Sequence, residues 1–240
     1  MTAGMKLRPL RKPAMLALVL LLAACGNDAQ QGQGAATLRQ VAGTLISDAG
    51  AAMGRGQADA TAAAPRSADQ IAASALRANP GPLILATVEQ AGHMQAMALI
   101  GESGGRRTFA TPNMQALVLE GGMLAATRGL GHDLNAADSG PVAALIRGRR
   151  AGQATRMNYY LTGEARERAL QMTCTVTPGQ MQEYNFAGRS WSARQMAENC
   201  EGSGTSFANN YLVDGNGQIV MSRQWIGPAL GHVVIQTIRP

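Results

Sequence analysis

Apolar and polar positions fall into two regimes along this chain. From Leu83 to the end, short apolar or alternating runs recur, each bounded by Gly, Pro, Asn or Asp. They cover 83–88, 94–100, 107–110, 116–119, 123–127, 155–161, 169–176, 180–186, 207–213, 218–225 and 233–238. About eleven runs at roughly 10-residue spacing predict strands of an antiparallel β-barrel or sandwich. The clearest unit is 210–225, where Asp214-Gly215-Asn216-Gly217 supplies residues that tolerate positive φ between two runs, which predicts a hairpin.

Before Leu83 the spacing is helical. Leu38, Val41, Leu45 and Ile46 predict a short amphipathic helix. A second is expected after Ser67 as N-cap, with Ile71, Ala72, Ala75 and Leu76 on one face and Asn79-Pro80-Gly81-Pro82 ending it. The fold class is therefore mainly β, with short N-terminal helices.

The first 25 residues have another meaning. Lys6, Arg8, Arg11 and Lys12 precede an apolar run of about nine residues, 14–22. A helix needs about 20 apolar residues to cross a bilayer, so residues 1–24 read as a cleaved signal peptide. Leu22-Ala23-Ala24-Cys25 is a lipoprotein processing site, which predicts lipidation of Cys25. Gly26, rather than aspartate, after that cysteine favours the outer membrane, with the protein facing the periplasm. Acyl chains contribute about 0.8 kcal/mol per buried methylene, enough to anchor the chain without a spanning helix. Residues 25–35 are small and polar and read as a tether, leaving 36–240 as a single periplasmic β-rich domain.

Loss of the signal changes the charge. The whole chain has 21 Lys+Arg against 15 Asp+Glu, but four of the basic residues lie in the signal. The mature protein carries 17 against 15, a net of +2, so nothing points to nucleic acid. Two other cysteines, Cys174 and Cys200, are expected to form a disulfide in an oxidising compartment. Two thiols without a nearby His pair do not make up four metal ligands, and no cofactor is implied.

Candidate chemistry is sparse. Gly101-Glu102-Ser103-Gly104-Gly105 matches a serine-hydrolase elbow, but a strand-like segment follows it where the elbow needs a helix, so a turn is expected. His132 beside Asp133 resembles an acid–base pair. Neighbours on an extended chain point to opposite faces, which favours a structural histidine bonded to its own loop. Arg147-Gly148-Arg149-Arg150 suits an acidic polymer or phosphate, although such runs are more often solvated turns. Tyr159, Tyr160, Trp191, Tyr211 and Trp225 suit sugar stacking or, more commonly, core filling.

Three strings carry a resemblance. They are Leu119-Glu-Gly-Gly-Met-Leu-Ala-Ala-Thr-Arg-Gly-Leu-Gly-His-Asp-Leu134, Phe207-x-Asn-x-Tyr-x-Val-Asp214 and Ser222-Arg-Gln-Trp-Ile-Gly-Pro228. Together they resemble the YjbF/GfcB family of outer-membrane lipoproteins associated with group 4 capsule and exopolysaccharide gene clusters. The resemblance spans nearly the whole mature chain. It implies a mostly β, barrel-like domain and a non-enzymatic accessory role in polysaccharide production or export. Implied partners are an outer-membrane β-barrel protein, other proteins of the same gene cluster and the polysaccharide itself. It supplies no catalytic residues; Arg128, His132, Asp133, Arg223 and Trp225 match its strings and form the candidate functional surface. The rival expectations are a glycan-modifying hydrolase using His132 and Asp133, and a half-barrel that carries lipid.

Overall fold

The structure is a computed structural model that describes residues 66–164 and 166–240. The signal peptide, Cys25, the tether and the helix expected near Leu38 lie outside the described residues. Among the described residues, no helix is long and apolar enough to cross a membrane.

Twelve strands form one antiparallel sheet. They are β1 (Leu83–Val88), β2 (His93–Ser103), β3 (Arg106–Ala110), β4 (Ala116–Glu120), β5 (Met123–Arg128), β6 (Ala136–Asp138), β7 (Gly152–Leu161), β8 (Glu167–Phe186), β9 (Arg189–Gly202), β10 (Thr205–Asp214), β11 (Ile219–Gly227) and β12 (Gly231–Arg239). Chain neighbours pair throughout except β5 and β6, and β1 pairs with β12, which joins the first and last strands. The outer strands of the sheet are β5 and β6. They too approach each other, with the Thr127 amide donating to the Leu134 carbonyl at 2.9 Å, so the sheet is a nearly closed barrel.

Helix α1 (Ala68–Ala78) starts as expected: Ser67 Oγ accepts from the Gln70 amide while Gln70 Oε1 accepts from the Ser67 amide. Its Ala72 packs with Leu83, Leu85, Trp191, Leu212 and Ile238 on the outer face of the sheet. Strand β1 is thereby covered on both sides, since Ile84 and Ala86 point to the interior cluster with Phe109, Leu117 and Val233. That double burial is why 83–88 reads as a continuous apolar run rather than an alternating one.

Four elements depart from the expectation, the first being the short strand β6, which no apolar run marks. The runs 169–176 and 180–186 are one strand, β8, whose register against β9 shifts between Pro178 and Met181. Pro178 donates no hydrogen bond and Gly179 allows close approach to Gln195, so the pair makes a bulge rather than a turn. Strand β9 was not anticipated. Its covered positions change face along its length: Trp191 and Ala193 lie under α1, whereas Met196, Glu198 and Cys200 point inward. Helix α2 (Gly140–Arg147) was also not anticipated; Pro141 begins it, and Val142 and Ile146 fill the interior against β7, β8 and β10. The 214–217 hairpin and the 101–105 turn are as expected, the latter joining β2 directly to β3.

Candidate functional site

The end of β5 and the loop after it hold three of the sequence candidates, Arg128, His132 and Asp133. Asp133 organises it: its carboxylate accepts from Thr127 Oγ1 at 2.7 Å and from the Gly129 and Leu130 amides at 2.9 and 3.2 Å. Thr127 Oγ1 in turn accepts from the Leu134 amide at 2.9 Å. Arg128 reaches the carbonyls of Thr127, Leu134 and Asn135. His132 is exposed. The residue that bonds its own loop is therefore Asp133, and its carboxylate is directed to the backbone rather than toward His132. The loop sits on the seam between β5 and β6, where chain turns inward to close the barrel.

Removal of that carboxylate leaves three donors without their acceptor. Asp133→Ala is expected to cost about 1–3 kcal/mol, whereas His132→Ala should stay within about 0.5 kcal/mol of wild type. Urea unfolding checks both; equal losses would show that the histidine shares the structural role.

Arg223 stands apart on β11. It forms a two-pronged ion pair with Glu89, Nε to Oε1 at 2.6 Å and Nη2 to Oε2 at 2.7 Å. The Arg223 contact holds the Glu89 carboxyl below its ordinary value. His232 lies beside them, with Nε2 2.9 Å from the Ala208 carbonyl and Nδ1 4.0 Å from Glu89. Burial, reinforced by the Arg223 charge, pulls His232 below its ordinary value.

Trp225 corrects the expected surface, because it is buried. Its ring stacks on Phe207 at 4.5 Å between centroids and meets Tyr160 edge-on at 6.2 Å. Its amide donates to Asn209 Oδ1 at 2.7 Å. The five candidates thus do not form one face. Trp191 and Tyr211 are buried core residues as well.

Beside Trp225 lies a polar network that the sequence reading missed. Arg156 and Glu198 are both fully buried and pair through Nη1 at 3.0 and 3.3 Å from the two carboxylate oxygens. Arg156 Nε donates to Asn158 Oδ1 at 3.1 Å. Glu198 Oε2 also accepts from Asn209 Nδ2 at 2.8 Å and Tyr211 Oη at 2.6 Å. Asn158 Nδ2 donates to Tyr160 Oη, which donates to the Ile226 carbonyl at 2.7 Å. Burial opposes the Arg156 charge, but Glu198 outweighs it and holds the guanidinium above its ordinary value. Burial raises the Tyr211 phenol well above its ordinary value, with the Glu198 charge acting in the same direction. Burial likewise pushes Tyr160 up to about 12. Both phenols remain protonated donors, which suits a rigid scaffold rather than proton transfer near neutral pH. The available signal was strand parity: Arg156, Asn158 and Tyr160 share one face of β7, as do Phe207, Asn209 and Tyr211 on β10.

Cys174 and Cys200 face each other across β8 and β9 and are bonded as a disulfide, as expected. Glu198 joins them in a cluster of metal-ligating types. The sulfurs are committed to each other, so this group does not supply thiolate ligands.

The middle of the barrel is filled by these residues and by two apolar clusters that Tyr160 bridges. That filling counts against the lipid-carrying half-barrel, which needs a continuous apolar cavity.

The chain has known counterparts. A family model described as group 4 capsule polysaccharide lipoprotein gfcB, YjbF, matches residues 48–238. Among solved structures, the chain is similar to the hypothetical lipoprotein YmcC from Escherichia coli (K12), with 20% identity and a TM-score of 0.63. That likeness covers 71% of this chain and 90% of the other, and at this identity it speaks for the fold alone. No curated protein matches the chain.

Proposed function

Because this chain belongs to the group 4 capsule polysaccharide lipoprotein family, we propose that it is a non-enzymatic accessory of capsule or exopolysaccharide production or export. In this reading, acylated Cys25 anchors it to the periplasmic face of the outer membrane. Residues 26–35 hold the barrel off the lipid surface, where it meets an outer-membrane β-barrel protein and other proteins of the same gene cluster.

The family match over 48–238, joined to the processing site at Leu22-Ala23-Ala24-Cys25, is the observation that carries this reading. The accessory role draws support from the commitment of the polar candidates to structure. Asp133 is bonded to its loop, Arg223 to Glu89 and Glu198 to the side chains of Arg156, Asn209 and Tyr211. A hydrolase using His132 and Asp133 needs the carboxylate to orient the imidazole.

The test is deletion of the gene in its native host, with complementation by wild type and by Cys25→Ala. Secreted polymer is expected to fall on deletion, to return with wild type and to stay low with Cys25→Ala. Polymer unchanged in amount and structure after deletion would remove the export role. Full rescue by Cys25→Ala would remove the anchor from it.

A further inference from the structure

The barrel end opposite the 129–135 loop, at the start of β5 rather than its finish, opens into a cavity of about 350 Å³. That volume is at the lower end of the roughly 300–1,000 Å³ found for small-molecule sites. Three arginines from distant parts of the chain line it: Arg107 from β3, Arg147 from the end of α2 and Arg239 from the end of β12. No acidic side chain lines it among the described residues.

Backbone carbonyls position two of these guanidiniums. Arg147 Nε donates to the Gly217 carbonyl at 3.1 Å, and Arg239 Nη1 donates to those of Asn79 and Gly81 at 2.6 and 2.9 Å. Arg107 lies over the Phe109 ring at 5.2 Å, and its buried Nε has no hydrogen-bond partner among the described residues. The nearest carboxylate to it is that of Glu102, at 3.4 Å. Neutral carbonyls thus fix the charges of Arg147 and Arg239, while Arg107 also pairs with Glu102 at the rim.

The turn between β4 and β5 makes room for this arrangement. Gly121 and Gly122 have φ of +56° and +88°, and a Cβ on Gly121 would stand 2.9 Å from Arg147 Nη1. Ser222 and Thr237 share the wall with Phe109 and Ile235. Guanidinium forks suit carboxylate or phosphate oxygens, and a wall of hydroxyl and apolar groups suits the edge and face of a sugar ring.

We propose that this arginine-lined mouth binds a uronate unit of an acidic saccharide. Arg107, Arg147 and Arg239 hold the carboxylate, and the ring lies against Ser222, Thr237 and Phe109. The saccharide part of this assignment rests on the capsule reading above; the anion part rests on the three guanidiniums.

The test is calorimetric titration of the full chain in detergent micelles with trigalacturonate, alongside its methyl ester, inorganic phosphate and phosphatidylglycerol vesicles. Wild type is expected to bind trigalacturonate and not the neutral ester. Arg107→Gln/Arg147→Gln should weaken that binding by about tenfold or more, the effect of losing charge-assisted hydrogen bonds. Should the double variant melt early, Arg147→Gln alone carries the test, because that side chain is exposed at a helix end. Equal binding by wild type and variant overturns the site, as does equal binding of acid and ester. Displacement of trigalacturonate by equimolar phosphate, or arginine-dependent capture of the vesicles without saccharide binding, assigns the mouth to phosphate and overturns the uronate. Absence of trigalacturonate binding by wild type overturns the uronate site and leaves the host deletion result standing, so the two readings fail separately.

Discussion

Glu198→Ala is expected to lower the stability of the barrel by about 3–5 kcal/mol, the cost of leaving a buried charge without its partner. Arg156 has no route to solvent, since both side chains are fully buried. The same substitution strips Asn209 and Tyr211 of the acceptor they share. Glu198→Gln should cost nearly as much, because it keeps the shape but not the charge. Tyr211→Phe removes one donor at 2.6 Å and should cost about 1–3 kcal/mol. Urea unfolding of the purified variants measures all three. A loss below about 1 kcal/mol for Glu198→Ala would mean that Arg156 finds water or another acceptor, and that the network is not the dry centre of the barrel.

Removal of the disulfide ranks second. Cys174→Ala/Cys200→Ala opens a loop with a sequence separation of 26, and the chain-entropy relation gives about 3.5 kcal/mol for a loop of this length. The bond joins β8 to β9 next to the ion pair, with Cys200 Sγ 3.1 Å from Glu198 Oε1. The two losses should therefore not add. A double-mutant cycle between Glu198→Ala and the cysteine pair is expected to show coupling of about 0.5 kcal/mol or more, as contacting sites do. Unfolding in reductant gives an independent reading: wild type should fall to the level of the alanine pair, while the alanine pair should not respond. A reductant effect of the same size on the alanine pair would place the loss elsewhere in the chain.

Much of the barrel was legible along the sequence because its information is local. The 83–88 run is β1 residue for residue, and Asp214-Gly215-Asn216-Gly217 does turn β10 into β11. Ser67 caps α1, with Gln70 completing the reciprocal bond. The misses share one cause, which is burial set by partners far along the chain. On β9, apolar residues change face between Ala193 and Met196 because α1 covers one stretch from outside and the lumen covers the next. The inward positions also include Arg194 and Glu198, so neither a continuous run nor a clean alternation marks the strand.

The candidate site divides the same way. The string around Arg128–Asp133 does form a distinct loop, but which of its side chains organises it depends on Thr127 and the amides folded back upon Asp133. Trp225 was visible as a family-string residue, whereas its burial depends on Phe207 and Tyr160 from other strands.

The sequence by itself determined the strand-rich class, the hairpin turns, the pairing of the two remaining cysteines and the family resemblance. Each rests on residue periodicity, turn chemistry or strings of adjacent residues, all read within a short stretch of chain. Tertiary structure alone decided the closure of β1 on β12, the meeting of Arg156 with Glu198 and the convergence of Arg107, Arg147 and Arg239 at one mouth. Those arrangements depend on strand register and on which face of each strand closure turns inward, and a charged residue carries no local mark of whether its face will be covered.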